Sequence, residues 1–83
     1  MNLFIVTGHT KGLGAALVER IARQTDNEII ALGRAADGPI AGGAQLQVDL
    51  ADIAALEAAF DRLEARLANR RYERAVLVNN AGV

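Results

Sequence analysis

An α/β fold built on a parallel sheet is what this sequence predicts, and three observations carry the prediction. Leu3-Phe4-Ile5-Val6, Ile29-Ile30-Ala31-Leu32 and Ala75-Val76-Leu77-Val78 are short apolar runs without polar alternation, the pattern of strands covered on both faces. Between these runs lie segments whose larger apolar residues recur at helical spacing. The glycine-rich stretch Thr7-Gly8-His9-Thr10-Lys11-Gly12-Leu13-Gly14 joins the first run to the first helical segment.

Size and composition limit what the fold can do. At 83 residues the chain is one small domain or part of one, and chains near this length bury only about 60% of their unfolded surface. Half of the residues are apolar, with two Phe and one Tyr, so Ala, Leu, Val and Ile must make a close-packed core. The net charge of −1, with arginines scattered among acids, leaves no footprint for nucleic acid. Disulfides and thiolate metal sites are excluded because there are no cysteines, and no metal site is expected. The first apolar run is too short for a membrane span or a signal-peptide core, so a cytoplasmic location is expected.

Taken in order, the elements alternate. Asn2 to Val6 forms a central strand, and an amphipathic helix follows from Leu13 to about Gln24 with Leu13, Leu17, Val18 and Ile21 on its apolar side. Thr25-Asp26-Asn27 breaks that pattern before a second buried strand, Glu28 to Leu32, ending at Gly33. From Gly33 to Ala44 the chain carries Asp37-Gly38-Pro39 and Gly42-Gly43, which reads as a loop or single turn. Ala44 to Val48 alternates apolar and polar residues, as in a less covered strand at a sheet edge. Asp52 is the better N-cap for the longest helix, whose apolar stripe is Ile53, Leu56, Phe60, Leu63 and Leu67 and whose end falls near Asn69 or Arg70. A polar hinge with Tyr72 as a packing residue leads to the fourth strand. Crossover handedness then gives a three-layer sheet of order 3-2-1-4, the first half of a Rossmann-type fold, with residues 1–83 as the amino-terminal part of a longer domain.

Glycines spaced as Gly8, Gly12 and Gly14 let a chain leave a strand, turn tightly and enter a helix. The first amides of that helix have no intrahelical partners and sit at the positive end of its dipole, which suits a pyrophosphate. A glycine triplet alone fits an ordinary strand-to-helix turn equally well, so its context decides.

Three segments supply that context. Thr7-Gly8-x-x-x-Gly12-x-Gly14 after the first strand, Asp49-Leu50 after the third, and Asn79-Asn80-Ala81-Gly82 after the fourth together resemble the short-chain dehydrogenase/reductase family along the whole chain. The resemblance implies that the backbone of Gly8, His9, Thr10, Lys11, Gly12, Leu13 and Gly14 surrounds the adenosine phosphates and pyrophosphate of a nicotinamide dinucleotide. It implies that Asp49 hydrogen-bonds the adenine amino group, that the Leu50 backbone borders that ring, and that Asn80, Ala81 and Gly82 line the adenosine ribose. Asn79 is expected to tie the fourth strand to neighbouring backbone. The competing reading of Asp49 is a carboxylate serving the start of the long helix.

Cofactor choice turns on charge. An acid about 20 residues beyond the glycines selects the ribose hydroxyls of NAD, whereas an arginine there grips the 2′-phosphate of NADP. Arg34 occupies that place, and Lys11 adds a second cation, so NADP is expected ahead of NAD. Asp37 is the competing acid, should its carboxylate reach a ribose hydroxyl.

The family's chemistry is carbonyl reduction or alcohol oxidation, using a Ser and a Tyr-x-x-x-Lys pair. No catalytic residue can be assigned, because the sole lysine is Lys11 and Tyr72 is followed four residues later by Val76. The chain is therefore expected to supply the cofactor-binding half of an NADP(H)-dependent enzyme acting on a small carbonyl or alcohol. The parent protein is expected to be a homo-oligomer. The link without a helix after the second strand resembles the sepiapterin reductase and benzil reductase-like branch. A non-catalytic dinucleotide-binding or regulatory module is the alternative. The covered pattern of the fourth strand also predicts a neighbour beyond it, since an apolar edge strand is an aggregation hazard.

Overall fold

The computed structural model describes residues 1–8 and 12–79. Its elements are β1 (Asn2–Thr7), α1 (Gly12–Ala22), β2 (Asn27–Gly33), β3 (Gly38–Ile40), β4 (Gly43–Gln47), α2 (Ile53–Leu67) and β5 (Arg74–Asn79). They build one sheet of order β3-β4-β2-β1-β5. The pairs β1–β2, β1–β5 and β2–β4 are parallel, and β3–β4 is antiparallel. Without β3, the order β4-β2-β1-β5 is the 3-2-1-4 read from the sequence.

Each face of the sheet carries one helix. Val18, Ile21 and Ala22 of α1 pack on Phe4, Val6 and Ile29, while Ala59 and Leu63 of α2 pack on Leu3, Ile30, Leu32, Leu46 and Val48. The alternation of Ile29 and Ile30 to opposite faces follows from the two-residue period of a strand, and it explains why the apolar runs show no polar gaps.

Two expectations are corrected here. The link after β2 is not a bare loop and β4 is not the edge: Gly38–Ile40 forms β3 and covers β4. The reversal is made at Gly42, whose φ is +81°, and Gly43 then lies so close to β2 that a Cβ there would collide with the Ile29 carbonyl. Pro39, which has no N–H, sits in this outermost strand, the place in a sheet that tolerates it.

The apolar stripe of α2 is rotated from expectation. Ile53 and Phe60 are 74% and 53% exposed, while Ala59 and Leu63 are buried and Ala55, Leu56 and Leu67 pack beside them. The side of the helix turned to the sheet carries Ala59 and Leu63, and the bulkier Phe60 lies outside that contact. Asp52 caps the helix, its side chain accepting from Ala55 N at 3.1 Å. The helix ends at Leu67, two to three residues before the expected boundary.

Candidate functional site

Because β1, β2, β4 and β5 run parallel, their carboxyl ends share one edge of the sheet. Gly8, Arg34, Asp49 and Asn79 are brought together there although the sequence spreads them over more than 70 positions. In open α/β sheets this is the edge at which ligands bind.

Gly8 leaves β1 with φ +67° and donates its N–H to the Leu32 carbonyl. Gly12 opens α1 with φ +63°, and a Cβ built on it meets no atom within 4 Å. Glycine is required there by backbone conformation, and the space beside the helix start is left open by the described residues. Gly14 is buried in the first turn of α1 and Leu13 is exposed. The expected site residues His9, Thr10, Lys11, Asn80, Ala81 and Gly82 lie outside the described residues.

Arg34 is exposed immediately beyond β2 and forms no ion pair among the described residues. Asp37, the competing acid, is engaged: its carboxylate accepts the Gln47 N–H at 2.6 Å and pairs with Arg62 of α2. That amide, and then Arg62, hold its carboxyl below the ordinary carboxylate range.

Asp49 follows β4 and is exposed. Its Oδ1 accepts from Ala51 N at 3.0 Å and its carbonyl accepts from Asp52 N at 3.0 Å, so one carboxylate oxygen shapes the turn into α2. Leu50 is half-buried against the α2-side core. Asn79 does tie β5 to β1, but through a side chain: the Thr7 hydroxyl donates to its Oδ1 at 3.1 Å, joining the paired last residues of the two strands.

Tyr72 packs against the α2-side core, and its role is larger than packing. Its hydroxyl donates to Glu28 Oε1 at 2.7 Å, and Arg70 Nη1 donates to the same oxygen at 2.8 Å. Burial, and then the Glu28 carboxylate, push the Tyr72 hydroxyl pKa up; the same carboxylate raises that of Arg70. This cluster lies at the amino ends of the strands. It borders an open depression of about 540 Å³ lined by Ala22, Gln24, Asn27, Glu28, Arg66 and Arg70. None of the described residues of the three dinucleotide-like segments lines it.

Glu28 and Gln45, which are almost fully buried, carry structural roles that the sequence reading missed. Gln45 looks solvent-facing in its alternating strand and Glu28 looks like the polar end of an apolar run, and only their tertiary partners show otherwise.

A parallel sheet layered by helices, with a glycine turn after its first strand, is a partial Rossmann-type fold. Comparison with known proteins narrows the class. The chain is 36% identical to benzil reductase ((S)-benzoin forming) of Bacillus subtilis (strain 168), over all of this chain and 34% of that enzyme. A short-chain dehydrogenase/reductase from Burkholderia vietnamiensis superposes with a TM-score of 0.80 at 34% identity, over 99% of this chain and 41% of that one. A double variant of a Serratia marcescens short-chain dehydrogenase/reductase gives 0.74 at 30% identity, over 99% and 35%. No family model matches the chain. This chain belongs to the short-chain dehydrogenase/reductase family and spans about a third of the length of the curated relative it matches.

Proposed function

We propose that the carboxyl edge of the sheet binds NADP(H) and that residues 1–83 serve as the cofactor-binding part of a reductase for a small carbonyl compound. The observation that carries this reading is the pairing of an uncommitted cation with a committed acid. Arg34 has no ion-pair partner among the described residues, whereas Asp37 is held by Gln47 and Arg62. An edge so arranged favours a 2′-phosphate over a ribose diol.

The residues divide the work. Gly8 and Gly12 adopt backbone that a side chain would strain, and the open space beside Gly12 admits a pyrophosphate to the start of α1. His9, Thr10 and Lys11 complete the loop, Lys11 adding charge. Leu13 and Gly14 belong to the first turn of α1. Asp49 has one oxygen in its turn and offers the other to the adenine amino group, beside the Leu50 backbone. Asn80, Ala81 and Gly82 border the adenosine ribose. A bound nicotinamide cofactor supplies the hydride; this chain binds and orients it, and contributes no Ser or Tyr-x-x-x-Lys. The benzil reductase relative, named as forming (S)-benzoin, favours the reductive direction. We place the parent protein in the cytoplasm as a homo-oligomer. No described helix is long and apolar enough to cross a membrane.

Binding of NADPH and NADH to the wild-type chain and to Arg34→Asp tests the assignment. The wild type is expected to prefer NADPH by about tenfold or more, the scale of one charge-assisted bidentate contact. Arg34→Asp is expected to abolish that preference. Unchanged affinities for both cofactors would overturn the proposal.

A further inference from the structure

Resting on the NADP reading, we propose that Gln45 and Gln47 of β4 are positioning residues for Arg34, stapling the chain beyond β2 so that the guanidinium is presented from a fixed backbone.

Carbonyls 33, 34 and 35 follow one another where the chain leaves the sheet, a place where loop carbonyls ordinarily face water. Here all three are taken by β4 and the residue after it. Gly33 O accepts from Val48 N at 2.7 Å and from Gln45 Nε2 at 3.2 Å. Arg34 O accepts from Gln47 Nε2 at 3.0 Å. Ala35 O accepts from Gln45 Nε2 at 3.0 Å. Two residues on, Asp37 closes the segment onto the Gln47 amide and Arg62.

Gln45 is 3% exposed, and its Oε1 is buried without a hydrogen-bond partner among the described residues. Its donor end therefore determines its orientation, and leaving an acceptor unpaired is a cost that an apolar residue would avoid. Its Nε2 also lies 3.1 Å from the Leu46 carbonyl, so a glutamine at this position makes sense if gathering carbonyls 33 and 35 beside that of its own strand is what it does. Gln47 is exposed and contributes nothing to the core, yet its side chain reaches the carbonyl of the residue that meets the phosphate. Fixing that backbone in advance leaves only the Arg34 side chain to be ordered when the nucleotide arrives, which is preorganisation.

Gln47→Met tests the staple, since it keeps the side-chain length, adds no charge and removes the donor at an exposed site. NADP⁺ and NAD⁺ affinities are measured for wild type, Gln47→Met, Arg34→Ala and the double variant, with amide exchange of residues 34–37 as an independent readout. Gln47→Met is expected to weaken NADP⁺ by about three- to tenfold, the scale of ordering a loop side chain. NAD⁺ should stay within about twofold, and exchange at 34–37 should quicken. In the Arg34→Ala background the same change should leave the NADP⁺/NAD⁺ ratio within about twofold, because the residue it positions is gone. If Arg34→Ala collapses the ratio but Gln47→Met does not, or if Gln47→Met weakens both cofactors equally, the positioning role is wrong and the NADP reading stands. If wild type shows no NADP⁺ preference, or Arg34→Ala leaves it intact, both are wrong.

Discussion

Arg34 and Asp37 stand three positions apart with opposite charges, and their partners sort their roles. Glycines and an arginine at a strand end were legible in the sequence because their chemistry is declared by residue type: positive φ at Gly8 and Gly12, and a planar cation at Arg34. The commitment of Asp37 was not legible, because Arg62 reaches it from 25 positions away on another element. Glu28 was hidden in the same way, its oxygen shared by Arg70 and Tyr72 across more than 40 positions. This cluster yields a prediction. Tyr72→Phe should destabilise the fold by about 1.5–3 kcal/mol, the range of a hydrogen bond to a charged group, in urea unfolding. The sign of its pH dependence follows from the raised Tyr72 pKa. The protonated hydroxyl is favoured by folding, so its contribution is complete below the ordinary value of 10.0 and lost as pH rises through the raised one. The deficit of the variant should therefore shrink in alkali.

Strands and helices were legible nearly to their ends, because three unbroken apolar runs, one alternating run and two helical stripes carry their periods. What escaped was β3, three residues holding Gly38 and Pro39, which on composition alone is indistinguishable from a turn. Its pairing comes from the reversal at Gly42 and the close passage of Gly43 over Ile29, neither visible without the neighbouring strand. The rotation of α2 escaped for a related reason: side-chain size points to Phe60, whereas close packing selects Ala59. The observed face predicts a contrast. Leu63→Ala should cost about 2–4 kcal/mol as a buried deletion, and Phe60→Ser less than about 1 kcal/mol. Denaturant midpoints for the two variants check this, and equal losses would show that the stripe read from size alone was the packed face.

Across the whole molecule, the two edges of the sheet are treated differently. β3 is short and carries Pro39, features that blunt an edge, whereas β5 has six residues, no proline, and a Leu77 that is 67% exposed. The two ends of the strands differ as well. The amino ends hold the Glu28 cluster and an open depression, and the carboxyl ends hold the glycine turns, Arg34 and Asp49. Parallel pairing creates this division, and it is why described residues as far apart in sequence as Gly8 and Asn79 lie at one edge of the sheet. Backbone amide spectra recorded during titration with NADP⁺ test the central claim most directly. Shifts are expected at Gly8, Gly12, Leu13, Arg34 and Leu50, with Asn27 and Glu28 unmoved. Shifts confined to Asn27, Glu28 and Arg70, or none at the carboxyl edge at saturating nucleotide, would contradict it.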